Sequence, residues 1–343
     1  MTAEVRRGQE AAGASTDRTG HRAAVIGSPV AHSLSPVLHR AAYADLGLST
    51  WSYTARLLAP DQLADLLAQV AAPARGGPVW EGLSVTMPHK QAVTGLLDAV
   101  DPLARAVGAV NTVVAQRHGG GRALLTGVNT DVAGIVGALR EVLAHQGTVP
   151  GPRAVVLGSG ATASSTLAAL TELGATNVLV AARRHAGPGR AAAAAHRMGL
   201  GIRTLTWSPG ELASDAAVAH ELAAADLVVS TLPAHAADTL GAPLARALGG
   251  RPRPGALLDV VYAPWPTVLA ATWQAGGGVV APGWLMLLHQ AAPQVQLMTG
   301  RAPRLGPMRA ALLHALGEGR GADVAAGAAG PDAQAVAGPP GMG

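Results

Sequence analysis

The stretch Arg153-Ala154-Val155-Val156-Leu157-Gly158-Ser159-Gly160-Ala161-Thr162-Ala163 decides the fold. Its apolar run reads as a strand buried on both faces, bounded at once by a turn. The turn matches G-x-G-x-x-A over Gly158, Gly160 and Ala163. The first glycine permits a tight bend and the second lets the backbone approach a pyrophosphate. The small third residue lets helix and strand pack closely. A helix is predicted over residues 162–173, its N-terminus facing the negative charge. A second strand at 177–181 completes a β-α-β unit. Gly158, Ser159, Gly160, Ala161 and Ala163 are therefore the predicted dinucleotide contacts.

The end of the second strand distinguishes the two common dinucleotides. A carboxylate there accepts the ribose 2′-hydroxyl of NAD. Here the chain reads Ala181-Ala182-Arg183-Arg184-His185, with no acid. Arg183 and Arg184 suit a 2′-phosphate through charge-assisted hydrogen bonds, and Arg190 is a further candidate. NADP(H) is the expected cofactor, against the alternative of a solvated arginine pair.

Working outward, strand-like runs recur at 23–27, 83–86, 226–231, 256–261 and 278–281. Residues 110–115 and 123–125 form a predicted hairpin around Gly119-Gly120-Gly121. Helices are expected from Ser35, with Pro36 just inside, over 131–144, and at 284–298 and 307–316. A Gly/Pro break separates them at 147–152. Strands alternating with helices give the α/β class. Residues 1–20 are polar, with no apolar core of a leader peptide, and read as a disordered extension. Residues 319–343 are Gly/Ala/Pro-rich and read as a disordered tail.

Composition narrows the function. Hydrophobic residues are 49% and charged residues 13% of 343, enough for a large core. There is no cysteine, which removes thiolate nucleophiles, disulfides and cysteine-ligated metals. This fits a reducing, cytoplasmic setting. The formal charge is only +4, and Phe is absent, so nucleic acid is a poor partner. No apolar run is long enough to span a bilayer. No metal site is expected, because His32 and His39 lack a second ligand at metal-binding spacing. Lysine and arginine total 25, yet Lys90 is the only lysine. Where only charge matters, arginine serves. A lone lysine points to a place needing a compact amine that can lose its proton; a chance surface lysine is the alternative.

Four polar segments lie upstream of the glycine turn: 32–36, 85–90, 108–112 and 127–131. Each follows a strand-like run or opens a helix, where ligand groups collect in α/β folds. The hydroxyls of Ser33 and Ser35 can both donate to a carboxylate. Thr86 and Asn111 suit sugar-like hydroxyls, and Lys90 with Asp131 forms an acid–base pair. Each has a duller reading: Ser35 and Asp131 as helix caps, Asn111 and Asn129 as turn residues.

On these residues the chain resembles the shikimate dehydrogenases. The family's G-x-P-x-x-H-S-x-S-P-x-x-H segment is met by Gly27, Pro29, His32, Ser33, Ser35, Pro36 and His39. N-V-T-x-P-x-K runs from Ser84 to Lys90, with Ser84 in place of Asn. G-A-V-N-T and G-x-N-T-D are intact at 108–112 and 127–131. D-x-x-Y-x-P-x-x-T is met by Asp259, Tyr262, Pro264 and Thr267, and G-x-x-M-L-x-x-Q by Gly283, Met286, Leu287 and Gln290.

The resemblance implies two domains: a substrate domain of residues 21–130 with 283–318, and an inserted Rossmann NADP-binding domain of 131–282. It implies reversible reduction of 3-dehydroshikimate to shikimate, with Lys90 and Asp131 as the catalytic pair. Ser33 and Ser35 would bind the carboxylate. Thr86, Asn111 and Gln290 would hold ring hydroxyls, with Tyr262 a further substrate contact and Gly283 a further cofactor contact. A monomer or homodimer is expected. The chain departs from the family at Gly158-Ser159-Gly160-Ala161-Thr162, where G-A-G-G-A is usual, and at Ala182-Arg183-Arg184, where N-R-T is usual. After the fourth Rossmann strand, N-A-T is replaced by Ser230-Thr231-Leu232. Rival readings on the same scaffold are a quinate/shikimate or aminoshikimate dehydrogenase and a non-catalytic NADP-binding regulator. A tetrahydrofolate-linked dehydrogenase is a third, and would not need the Ser-x-Ser segment.

Overall fold

The computed structural model describes residues 20–74, 76–144, 151–249 and 255–328, with side chains of the last helix described to residue 317. The chain builds two six-stranded sheets. The first holds β1 (His21–Gly27), β2 (Trp51–Leu57), β3 (Val79–Val85), β4 (Ala99–Val100), β5 (Thr112–Gln116) and β6 (Leu124–Val128), in the order β2-β1-β3-β5-β6-β4. β1 pairs in parallel with β2 and β3, whereas β5 runs antiparallel to β3 and β6. Its connections carry α1 (Ser35–Asp45), α2 (Leu63–Ala71), α3 (His89–Ala92) and α4 (Pro102–Val107).

Helix α5 (Asp131–Leu143) leads into the second half. There follow β7 (Arg153–Leu157), α6 (Ala161–Glu172), β8 (Asn177–Ala182), α7 (Ala191–Arg197), β9 (Ile202–Thr206) and α8 (Leu212–Ala223). β10 (Leu227–Ser230), α9 (Gly241–Leu248), β11 (Ala256–Asp259), α10 (Val268–Ala275) and β12 (Val279–Pro282) complete it. All pairings in this sheet are parallel, in the order β12-β11-β10-β7-β8-β9. The chain winds outward in both directions from the β7–β10 seam. That reversal opens a crevice at the strands' C-terminal ends, where ligands bind in doubly wound folds. The chain then returns to the first half as α11 (Gly283–Thr299) and α12 (Leu305–Ala328).

Periodicity explains the layers. Along β7, Ala154 and Val156 face Ile135, Leu139 and Leu167 of α5 and α6. Val155 and Leu157 face the opposite way, toward Val218, Leu244 and Leu269 of α8, α9 and α10. Both faces are covered, so the strand is apolar throughout. In the first half, Leu63, Leu66 and Val70 of α2 pack on Ile26 and Leu83. Leu38, Leu288, Val295 and Leu312 of α1, α11 and α12 cover Val25 and Tyr53 on the other face.

Every element anticipated from the sequence is present, within a few residues of its expected bounds except at the end of α12. Elements without a motif, among them β2, β9 and α7 to α10, have no counterpart in the sequence reading. The tail is a correction: α12 continues to Ala328, where an irregular tail from 319 is expected. Alanine is the strongest helix former, and the segment is alanine-rich. The extension expected at 1–20, apart from Gly20, lies outside the described residues, as do 147–150 and 329–343.

Two helices join the halves. On α5, a Cβ at Gly134 would sit 2.8 Å from both Gln290 Cβ and the Met286 carbonyl, and one at Gly137 would sit 2.6 Å from the His289 ring. These glycines face α11 and let the two backbones approach. At the far end of the contact, both Arg309 terminal nitrogens donate to Glu141, at 2.8 and 2.7 Å, and His289 Nε2 lies 3.0 Å from the same carboxylate. Arg197 of α7 adds a third link, donating to the Ala106 and Val107 carbonyls at the end of α4, both at 2.9 Å. Gly134→Val should lower stability by about 1–3 kcal/mol, because the contact is backbone and cannot move aside. Urea unfolding measures this; an unchanged midpoint would remove the close approach from the account.

Candidate active site

A cavity of about 290 Å³ lies between the halves. It is lined by Ser33, Ser35, Thr86, Lys90, Asn111, Asp131, Tyr262 and Gln290. These are all the catalytic and substrate-binding candidates named from the sequence. They come from the start of α1, the end of β3, α3, the start of β5, the start of α5, the loop after β11, and α11.

At its centre Lys90 Nζ donates to Asp131 Oδ2 at 2.5 Å, with side chains 13% and 4% exposed. The second carboxylate oxygen, Oδ1, accepts from Asn111 Nδ2 at 2.8 Å. The carboxylate is thus fully engaged while the amine, one donor spent, keeps two N–H groups for a ligand. Asp131 is the first residue of α5, but its carboxylate makes no capping bond to the helix backbone. Ser35 likewise opens α1 without capping it. The two capping alternatives therefore fail.

Asn111 is a hub, not a turn residue. Its Oδ1 accepts from the Thr130 backbone at 2.7 Å and from Thr112 Oγ1 at 2.9 Å. Its Nδ2 also lies 3.3 Å from Gln290 Oε1. Asn129 is structural: it donates to the Ala109 carbonyl at 2.9 Å and to Ser165 Oγ at 3.0 Å. Asp259 and Thr267 are structural too. Thr267 Oγ1 and the Val261 N–H donate to the Asp259 carboxylate, at 2.7 and 3.2 Å, fixing the loop that carries Tyr262.

Gln294 and Ser84 line the same cavity, backed by Tyr53; Gln294 and Tyr53 were not among the sequence candidates. Gln294 Nε2 donates to Thr112 Oγ1 at 2.9 Å and to the Asn111 carbonyl at 3.2 Å. Ser84 donates to Gln294 Oε1 at 2.8 Å and accepts from Tyr53 at 2.6 Å. Gln294 sits one helical turn after Gln290, so the i, i+4 spacing was the available signal. Tyr53 lies on β2, where nothing local marks it.

A second cleft, of about 660 Å³, opens at the β7–β10 seam. Gly158, Ser159, Gly160, Arg183, Arg184 and Arg190 line it, together with Thr231, Leu232 and Met87. Gly158 holds φ +103°, and a Cβ there would meet Thr231 Oγ1 at 2.5 Å. Only glycine fits the bend. Among the described residues, none of the three guanidiniums has an ion-pair partner. Three guanidiniums beside a glycine turn and the N-terminus of α6 suit a phosphorylated dinucleotide.

Three cofactor candidates stand apart. Ala163 is fully buried in the core beneath α6, so its smallness serves packing. Ala161 does not line the cleft. Gly283 lines the first cavity, where a Cβ would sit 2.2 Å from the Val260 carbonyl. The backbone passes too close there for any side chain. Thr162 lines the first cavity as well, so α6 borders the ligand space on the substrate side.

A doubly wound half with a phosphate-binding turn, joined at a cleft to a half bearing a buried lysine–carboxylate pair, defines a dinucleotide-dependent oxidoreductase architecture. Comparison with known proteins narrows this. Residues 25–113 match the shikimate dehydrogenase substrate-binding domain and 283–313 the shikimate 5′-dehydrogenase C-terminal domain. The NADP-dependent shikimate dehydrogenase of Citrifermentans bemidjiense is 40% identical over 84% of this chain and 93% of its own. The structure of the Mycobacterium tuberculosis shikimate dehydrogenase superposes with a TM-score of 0.69 at 38% identity, over 86% of this chain and 99% of that one. A Thermus thermophilus shikimate 5-dehydrogenase in complex with NADP(H) and shikimate gives 0.64 at 32% identity, over 86% and 99%. The chain belongs to the shikimate dehydrogenase family.

His39, the last residue of the first motif, is buried under this site rather than in it. Its ring stacks on Tyr53 at 3.9 Å and lies 3.3 Å from Gln294 Oε1. Burial pushes its pKa down from 6.5 to about 3, against the opposing pull of Gln294. The unfolded chain therefore takes up a proton near pH 6.5 that the folded chain refuses until about pH 3. Stability at this position is present above pH 6.5 and falls as the pH drops from there toward 3. His39→Gln should flatten that acid decline, measured by urea unfolding from pH 7 to 4. An unaltered slope would argue against a neutral buried imidazole.

Proposed function

We propose that the chain catalyses the NADP-dependent, reversible reduction of 3-dehydroshikimate to shikimate. The observation that carries this is the Lys90–Asp131 pair, 2.5 Å apart in a cavity that also gathers Ser33, Ser35 and Gln290 and lies beside the glycine turn. The named relatives act on shikimate with NADP, and the residues at hand suit both ligands.

Residues 21–130 with 283–318 would form the substrate half and 131–282 the cofactor half. Ser33 and Ser35 supply hydroxyl donors for the ring carboxylate. Thr86, Asn111, Tyr262 and Gln290 supply donors and acceptors for ring hydroxyls. Bound NADPH supplies a hydride to the carbonyl carbon. As the carbonyl oxygen gains the electron pair, Lys90 Nζ gives it a proton; in the oxidative direction Lys90 takes that proton back. Asp131 holds the ammonium in place through Oδ2, and Asn111 holds Asp131 through Oδ1. Arg183, Arg184 and Arg190 receive the 2′-phosphate. The enzyme is read as cytoplasmic, and as a monomer or homodimer.

Positioned proton transfer contributes about 10²–10⁴ in rate, so Lys90→Ala should lose that much turnover with little change in shikimate affinity. Lys90→Arg should fail equally, because arginine does not give up its proton. Initial rates with shikimate and with quinate, each with NADP and NAD, test the reading. Near-normal turnover in Lys90→Ala removes the lysine from the mechanism; faster oxidation of quinate than shikimate reassigns the substrate.

A further inference from the structure

Gln91 follows the lysine on α3, and it reaches across to the other half. Its Nε2 donates to the Gly189 carbonyl at 2.5 Å. The contact is built on both sides. Gly189 holds φ +74°, and a Cβ there would lie 2.4 Å from Gln91 Oε1. A side chain at Gly189 would displace the Gln91 amide, and the positive φ favours glycine there.

Gly189 belongs to the loop between β8 and α7, which carries Arg183, Arg184 and Arg190 into the cofactor cleft. Contacts within its own half hold the two ends of that loop. Ser159 Oγ donates to the Arg184 carbonyl at 2.7 Å, and the Ala191 N–H donates to the Ser159 carbonyl at 2.9 Å. The middle, Gly187-Pro188-Gly189, holds two glycines at positive φ and closes on itself through a long bond, Arg190 N to Gly187 O at 3.3 Å. Glycines lose the most freedom on ordering. The bond from Gln91 falls on this middle, one residue before Arg190.

We propose that Gln91 is a positioning residue for cofactor choice: by pinning Gly189 it aims Arg190 into the cleft and raises the affinity for a 2′-phosphate. The inference rests on reading the three arginines as the phosphate site. The three arginines line one cleft, and a guanidinium that must be ordered on binding contributes less than one already placed. Gln91 does that ordering beforehand. A ligand without the 2′-phosphate makes no use of Arg190 and is indifferent to Gln91. The same bond ties the phosphate loop to the segment that carries Lys90.

Calorimetric titration of the full chain with 2′,5′-ADP and with 5′-ADP tests this without any turnover. Gln91→Ala should weaken 2′,5′-ADP about tenfold, the equivalent of one net hydrogen bond, and leave 5′-ADP within about twofold. Gly189→Ala should do the same, and the double variant should be no worse than the worse single one, since both remove one contact. Gln91 is exposed, so Gln91→Ala keeps its fold and carries the test if Gly189→Ala does not. A Gln91→Ala protein that keeps the parent's preference, or loses both ligands equally, overturns the proposal. If the parent chain itself binds 2′,5′-ADP no better than 5′-ADP, the phosphate reading falls and this inference with it.

Discussion

The near-contact of α5 and α11 sets the geometry of everything else. Two glycines, Gly134 and Gly137, bring the helix that opens with Asp131 against the helix that carries Gln290 and Gln294. A larger residue at either glycine would push these helices apart. Asn111 spans the resulting gap, with Asp131 on one side at 2.8 Å and Gln290 on the other at 3.3 Å. Those two bonds fail together if the helices separate. The site is therefore not a decoration on a finished scaffold. Its dimensions are the packing distance of two helices far apart in the sequence.

Within that frame the charged pair sits almost out of water. Desolvating two ions is costly, and the attraction between them compensates only when the remaining donors and acceptors are also satisfied. Asn111 satisfies the second oxygen of Asp131, and Asn111 is itself held by Thr112 and the Thr130 backbone. Gln294, Ser84 and Tyr53 continue the chain of bonds into the core. Such a layer leaves the carboxylate one orientation, and the ammonium follows it. Ser84, with its small hydroxyl, is both donor and acceptor in this chain.

Most of the fold was legible because its strands are buried on both faces and its turns are marked by glycine. β7 and the turn after it are readable from eleven residues, since each rule of propensity, pattern and turn chemistry agrees there. β2 and β9 were not legible: they are edge strands, their outward residues are polar, and no motif frames them. The first-cavity residues were legible as a set because each sits where a strand ends or a helix starts. What the motifs could not separate was contact from support. Ala163 and Gly283 belong to recognisable patterns, yet the patterns record close backbone packing at those points. Tyr53 carries no local mark and Gln294 only its spacing from Gln290, because their value comes from partners thirty to two hundred residues away.

The first half is assembled from both ends of the described chain, with the second half lying between them in sequence. A ribosome therefore delivers strands β7 to β12 of the nucleotide-binding half while the first half still lacks α11 and α12. Until those helices emerge, Val25 and Tyr53 are covered by α1 without α11 and α12, and Asn111 lacks its glutamine neighbours. A chain that stops short of residue 290 lacks Gln290 and Gln294, and with them part of the cavity wall. Competence waits on α11 and α12, the last helices among the described residues to leave the tunnel.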